Sequence, residues 1–112
     1  MATNIRRMVT LTDANQTYTL AALLAAAGFT GVSLFRTLSY FTPGGDYAAP
    51  NTDNVTIGEA TLANIQDGLI IPPGVRWDEP ATSGQSYYTP SEIGLRSATA
   101  GQRVLIIGLS IG

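Results

Sequence analysis

The sequence predicts an all-β fold: a compact antiparallel β-sandwich or barrel, jelly-roll-like, with one short helix near the N-terminus. Three observations predict it. Apolar and polar residues alternate with a period of two in several short runs. Gly, Pro, Asn and Asp gather between those runs as turn formers. Only one stretch spaces its apolar residues as a helix does. Short strands divided by turn chemistry are the pattern of sandwiches and barrels. The 112 residues suffice for a single sandwich domain, residues 1–112, and show neither an internal repeat nor a linker.

The first run alternates. Ile5, Arg7, Val9 and Leu11 share one side, and Arg6, Met8 and Thr10 the other. Both sides mix charge with apolar groups, which predicts a strand at an edge or against a partner. Residues 1–11 therefore read as an edge strand or an extended N-terminal arm. Asp13 to Gln16 form a turn. Leu20, Leu23, Leu24 and Ala27 then fall on one helical face. Thr17 or Thr19 can cap the start, and Gly28 suits the left-handed residue after the end. Two turns of helix are marginal alone, so this one must dock on a core.

Val32 to Phe41 is the clearest strand. Val32, Leu34, Leu38 and Tyr40 are expected on one face, with Ser33, Phe35, Thr37, Ser39 and Phe41 on the other. Arg36 interrupts the first face and must reach solvent or meet a carboxylate. Pro43 to Asn54 is a long polar loop. Val55 and Ile57 make a short strand, Glu59 to Asp67 a loop, and Leu69 to Ile71 a short buried strand. Pro73-Gly74 predicts a type II turn, because Gly74 tolerates the positive φ of its third position. Val75 to Trp77 begin the return, and Asp78 to Ser86 form a second polar loop.

Tyr87 to Pro90 lead into Ile93–Ser97. A Gly-bearing connector, Ala98 to Gln102, joins this run to Arg103–Ile111, which predicts an antiparallel hairpin. The last strand is apolar on both faces: Val104 and Ile106 on one, Leu105, Ile107, Leu109 and Ile111 on the other. Such a strand is covered on both sides, either central in a sandwich or closed against another subunit.

Composition excludes several chemistries. The net charge is −2 and only 12% of residues are charged, so no basic excess exists to hold nucleic acid. The six cations are all Arg, and the chain has no Cys and no His. Disulfides, thiol chemistry, structural zinc and His-based acid/base catalysis are therefore excluded. Without His or Lys, no Ser triad or Ser-Lys dyad can be assembled. No Gly-rich loop runs into a helix N-terminus, so the scaffold of a phosphate site is missing. The longest Ala/Leu run, Leu20 to Ala27, is too short to span a bilayer, and Met8-Val9 is too short for a signal peptide. Asp78-Glu79 are adjacent carboxylates, which point apart in extended chain and cannot face each other across a glycosidic bond. The Asx-rich loop (Asp46, Asn51, Asp53, Asn54) lacks the spacing and terminal Glu of a calcium loop and reads as turns. The expectation is a protein that is not an enzyme, with no cofactor, no metal and no small-molecule substrate.

Six residues stand out as candidates for a protein interface: Arg6, Arg7, Arg36, Trp77, Tyr87 and Tyr88. Arg pairs carboxylates through a planar fork and sheds water readily. Tyr and Trp join apolar area to a polar handle, which suits interface anchors and sugar platforms. Two adjacent Tyr on a strand cannot both point inward, so one of Tyr87 and Tyr88 should be partly exposed.

Several runs carry a family likeness. These are Val9-Thr10-Leu11-Thr12-Asp13-Ala14-Asn15, Tyr18-Thr19-Leu20-Ala21-Ala22-Leu23-Leu24, Val55-Thr56-Ile57-Gly58, Gly68-Leu69 with Pro73-Gly74, and Ile93-Gly94-Leu95-Arg96-Ser97-Ala98-Thr99-Ala100-Gly101-Gln102-Arg103-Val104. In this order, over residues 5–109, the chain resembles small virion structural proteins of tailed bacteriophages, among them head decoration (cement) proteins. The resemblance implies a compact β-sandwich or barrel, no catalytic site, and a place on the capsid or near the tail. The expected role is a capsid decoration protein that binds the assembled head and stabilises it. Its partners would be the major capsid protein or other virion proteins, and further copies of itself in a homo-oligomer, a trimer. Its location would be the virion, assembled in the host cytoplasm, with no membrane and no nucleic acid bound. A tail, connector or fibre-base subunit is the alternative position. A carbohydrate-binding module, with Trp77, Tyr87 and Tyr88 as its platform, is the alternative of another class.

Overall fold

A computed structural model describes residues 2–32, 34–62, 68–80 and 87–111. Among them the chain forms β1 (Ala2–Leu11), β2 (Tyr18–Thr19), α1 (Leu20–Ala26), β3 (Leu34–Phe41), β4 (Val55–Glu59), β5 (Leu69–Ile71), β6 (Arg76–Asp78), a 3-10 turn (Pro90–Glu92), β7 (Ile93–Arg96) and β8 (Gln102–Ile111). The protein is thus mostly β with one short helix. Two four-stranded sheets are built in the orders β1-β8-β3-β6 and β2-β7-β4-β5. Every pairing is antiparallel. Side chains from both sheets and from α1 meet in one core, centred on Leu11, Leu24, Phe35, Tyr40, Leu95 and Ile106.

The helix forms where the spacing places it. The Thr19 hydroxyl accepts the Ala22 N–H at 3.1 Å, satisfying one of the donors that a helix start leaves open. Leu20, Leu23 and Leu24 are buried, and Gly28 follows the end with φ 98°. Gly74 has φ 79°, as the Pro73-Gly74 turn requires. β1 lies at a sheet edge, paired with β8 from Ala2 opposite Ile111 to Leu11 opposite Gln102.

Three expectations are corrected. Ile93–Ser97 and Arg103–Ile111 do not form a hairpin: β7 pairs with β2 and β4, whereas β8 pairs with β1 and β3. The connector carries the chain from one sheet to the other, because β8 finds its longer partners there. The faces of β3 are also reassigned. A bulge between Phe35 and Thr37 takes Arg36 out of the ladder, so Phe35, not Leu34, points inward with Leu38 and Tyr40. One extra residue shifts the side-chain alternation by one, and strict period-two counting misses that. In β5, Ile71 is buried but Ile70 is 44% exposed, so this strand has one covered face only. The Glu59 to Asp67 loop is described as far as Leu62; residues 63–67 lie outside the described residues.

The polar loop after β3 is tied to the start of β8. The Asn51 side chain donates to the Arg103 carbonyl at 2.7 Å and accepts the Arg103 N–H at 2.7 Å. Asn51 thereby pairs with β8 as a strand residue would. Gln102 Oε1 accepts the N–H groups of Thr52 and Asp53 at 2.8 and 3.0 Å. The Thr99 hydroxyl donates to Asp53 at 2.6 Å. That bond first, and the Asn54 N–H second, hold the Asp53 carboxyl below its ordinary pKa. Asn51 and Asp53 are thus engaged by the chain itself, as turn-forming Asx residues are. Asn51 is 7% exposed, so Asn51→Ala strands two buried backbone groups. We expect a loss of about 1–3 kcal/mol, read from the urea midpoint at neutral pH.

Candidate functional site

The most defined concavity lies where the two sheets meet at one end. Ile57 and Glu59 of β4, Leu62 of the turn after it, and Ile93 of β7 form one wall; Glu79 and Tyr88 form the other. The cleft has a volume of about 520 Å³. Local backbone fixes its parts. Glu59 sits opposite Ile93 in the β4–β7 ladder. The Glu79 N–H donates to the Leu38 carbonyl at 2.9 Å, extending the ladder past β6. Tyr88 pairs with Phe35 across an isolated bridge, its N–H to the Phe35 carbonyl at 2.8 Å and its carbonyl accepting the Phe35 N–H at 2.7 Å. Its hydroxyl donates to the Pro80 carbonyl.

Tyr40 lies behind this wall. Its side chain is fully buried and its hydroxyl has no hydrogen-bond partner among the described residues. Burial pushes its pKa far above the ordinary tyrosine value of 10.0, with the Glu79 carboxylate the next cause and the Tyr88 phenol a smaller one. Glu79 therefore lies close enough to act on the phenol proton, although no bond of normal geometry closes between them. The Tyr88 phenol is raised as well, by burial first and by Glu79 second.

The second surface is the outer face of the β1-β8-β3-β6 sheet. Leu105, Ile107, Leu109 and Ile111 of β8 face outward and are half-buried. Their neighbours on that face include Arg6 and Met8 of β1, opposite Ile107 and Leu105, and Ser39 and Phe41 of β3, opposite the same two residues. Arg6, Thr37, Ser39, Arg76 and Ile107 line a depression of about 680 Å³. Arg76 Nε donates to Asp78 at 2.8 Å. The Ser39 hydroxyl first, and Arg76 next, lower the Asp78 pKa. Asp78 and Glu79 do point apart, Asp78 toward this face and Glu79 into the cleft.

The six interface candidates are not brought together. Arg6 is exposed on the outer face. Arg7 shares the inward side of β1 with Ile5 and Val9, but its guanidinium reaches out over the Phe29 ring, 4.6 Å from the centroid. Arg36 leaves the sheet at the bulge, lies 5.2 Å over the Tyr87 ring and donates to the Tyr87 hydroxyl at 3.2 Å. This is an aromatic contact in place of the carboxylate that the sequence suggested. Trp77, 40% exposed, sits on edge strand β6 opposite Tyr40. Tyr88 lies opposite Phe35 on the same strand, so roughly 15 Å of strand separates Trp77 from Tyr88. Those two rings do not form one platform. Tyr87 and Tyr88 are both half-buried.

Sequence reasoning missed Glu59, Glu79 and Tyr40 as neighbours. The outward turn of Asp78 implies that Glu79 turns inward, a signal that alternation does carry. The approach of Glu59 depends on strand pairing and has no local signature. Among the described residues, no group of three or more acids could hold a metal ion, and no helix is long and apolar enough to cross a membrane. No family model, no curated protein and no solved structure matches the chain.

Proposed function

We propose that this chain is a virion structural protein of a tailed bacteriophage, a decoration subunit that binds the assembled head and stabilises it. The observation that carries the reading is the nested pairing of the strands: β1 with β8, β2 with β7, β3 with β6, and β4 with β5. Folding a long hairpin over on itself produces that nesting, and it is the order of a jelly roll. Viral capsid domains use that architecture, as do lectins and cupins. The resemblance of the sequence to small virion proteins selects the first of these uses.

The outward row Leu105, Ile107, Leu109 and Ile111 supports the same reading. It supplies apolar area on the largest flat surface of the fold, with Arg6 and Arg76 beside it. A central strand that is apolar on both faces suits a subunit whose outer face meets another subunit. The role is physical, without catalysis. Binding the assembled shell and not its free subunits shifts the equilibrium away from disassembly. Repetition over a lattice makes weak contacts collectively strong. The edge strands β1 and β6 are open to further copies, and a closed ring, a trimer, would cover them.

The test compares shells with and without the protein. Decorated shells should open at a higher temperature in a calorimetric scan, and Ile107→Asp should abolish both binding and the shift. Identical melting curves for bare shells and shells incubated with the wild-type protein would remove this role. Light scattering of the isolated protein should give the mass of a trimer; a monomer at tens of micromolar would remove the ring.

A further inference from the structure

We propose that the cleft between the sheets is a receptor for a guanidinium group, an arginine side chain carried by a partner protein, held between the Glu59 and Glu79 carboxylates against the Tyr88 ring. The argument begins with a mismatch of donors and acceptors. Glu59 and Glu79 bring four acceptor oxygens to one cleft, and no Arg lines it. The ion pair formed among the described residues is Arg76 with Asp78, on the other surface. Against these acceptors the cleft walls offer few donors, and the Tyr88 hydroxyl is already committed to the Pro80 carbonyl. A site rich in acceptors and poor in donors is complementary to a cation rich in donors. The guanidinium carries five N–H groups in a planar fork and no acceptor.

Tyr40 supplies the independent observation. A hydroxyl with no exposed surface and no partner is costly, about 1–3 kcal/mol for a buried polar group left unsatisfied. Its nearest charged neighbour is Glu79, which also lines the cleft. A guanidinium that draws Glu79 into a fixed position leaves the rear of that carboxylate for the Tyr40 hydroxyl to donate to. Tyr40 is thus a positioning residue: it does not touch the ligand but orients the carboxylate that does. The unsatisfied phenol is what the unliganded site should show.

The walls decide between a protein-borne arginine and the free amino acid. Ile57, Leu62 and Ile93 present apolar surface. That surface suits the methylene stem of an arginine side chain. The α-carboxylate of free arginine would be repelled by the two glutamates, whereas a peptide backbone brings no such charge. The planar cation can also lie on the Tyr88 face, as Arg36 lies on Tyr87 elsewhere in this protein. The inference does not rest on the virion reading, and either can fail without the other.

The test is a titration of the full chain followed by amide and tyrosine ring resonances. The probes are N-acetyl-arginine-N-methylamide, its citrulline counterpart, which has the same shape without the charge, and free arginine. The arginine amide should shift resonances of Glu59, Glu79, Tyr88 and the Tyr40 ring. The citrulline amide should bind at least tenfold more weakly, and free arginine several-fold more weakly. Glu79→Gln and Glu59→Gln should each weaken the arginine amide at least tenfold. Tyr40→Phe should weaken it several-fold while leaving the preference for arginine over citrulline in place. If Glu79→Gln fails to fold, Glu59→Gln, at an exposed position, gives the same answer. Equal binding of the arginine and citrulline amides, shifts confined to other surfaces, no shift at 50 mM probe, or a response to methyl glucoside with silence toward arginine each overturns the proposal.

Discussion

Gly108→Val is expected to cost at least ~3 kcal/mol, a large share of the ~5–15 kcal/mol that holds a domain of this size together. Gly108 lies in the middle of β8, between Ile5 of β1 and Leu38 of β3. A Cβ there would come within 2.5 Å of the Thr37 carbonyl oxygen and within 2.7 Å of the Phe35 ring. The first neighbour is backbone at the edge of the bulge, so it cannot rotate aside. The second is a fully buried ring whose own shift would disturb the core. Overpacking a close-packed interior forces backbone movement, typically at about 1–3 kcal/mol, and Val adds two further methyl groups to the first contact. Gly45→Ala is the control. Its Cβ would meet nothing within 4 Å, so it should stay within about 0.5 kcal/mol of the parent. Urea midpoints at neutral pH decide the matter; a Gly108→Val protein within 1 kcal/mol of the parent would show that the β3 bulge yields readily.

The same glycine shows why the sequence gives some features and withholds others. Gly28 and Gly74 were readable, because a helix end or a Pro-Gly turn needs left-handed backbone and the local sequence states that need. Gly108 interrupts an apolar strand with no local reason. Its reason is the ring of Phe35, which the bulge turns inward from a chain segment some seventy residues away. The alternation of β8, the Thr19 cap and the edge position of β1 were legible for the same cause: each follows from side chains within a few residues. Partnership between strands was not. β7 and β8 are neighbours in sequence with a hairpin-like connector, yet they belong to different sheets. A five-residue connector is long enough either to pair its flanks or to cross the edge of a sandwich, and only the global pairing chooses. The cleft was out of reach for that reason. Its acids come from β4 and from the segment after β6, which meet only once both sheets are assembled.

Above pH 10 the protein is expected to lose about 1.4 kcal/mol of stability per pH unit through Tyr40 alone, and Tyr40→Phe is expected to remove that loss. The folded state holds the Tyr40 phenol protonated well beyond the ordinary value of 10.0, by burial first and the Glu79 charge second. The unfolded chain releases that proton near 10. A group whose folded pKa is raised contributes stability that is complete below the unfolded value and is lost as pH rises past it. The folded state binds more protons in that window, so alkali favours unfolding. At pH 8 the Phe variant should be as stable as the parent or more so, since it keeps the ring and discards a hydroxyl that has no partner. By pH 11.5 it should be ahead by roughly 2 kcal/mol beyond any difference at pH 8. Tyr88 shifts in the same direction, but its half-open hydroxyl ionises at smaller cost, so Tyr88→Phe should recover less. Glu79→Gln should recover the smaller part of the Tyr40 effect and leave the part due to burial. Urea midpoints for the parent and the three variants at pH 8, 10 and 11.5 separate these contributions. If parent and Tyr40→Phe lose stability in parallel, the alkaline transition belongs to another group, and the tie between Tyr40 and Glu79 at the back of the cleft is broken.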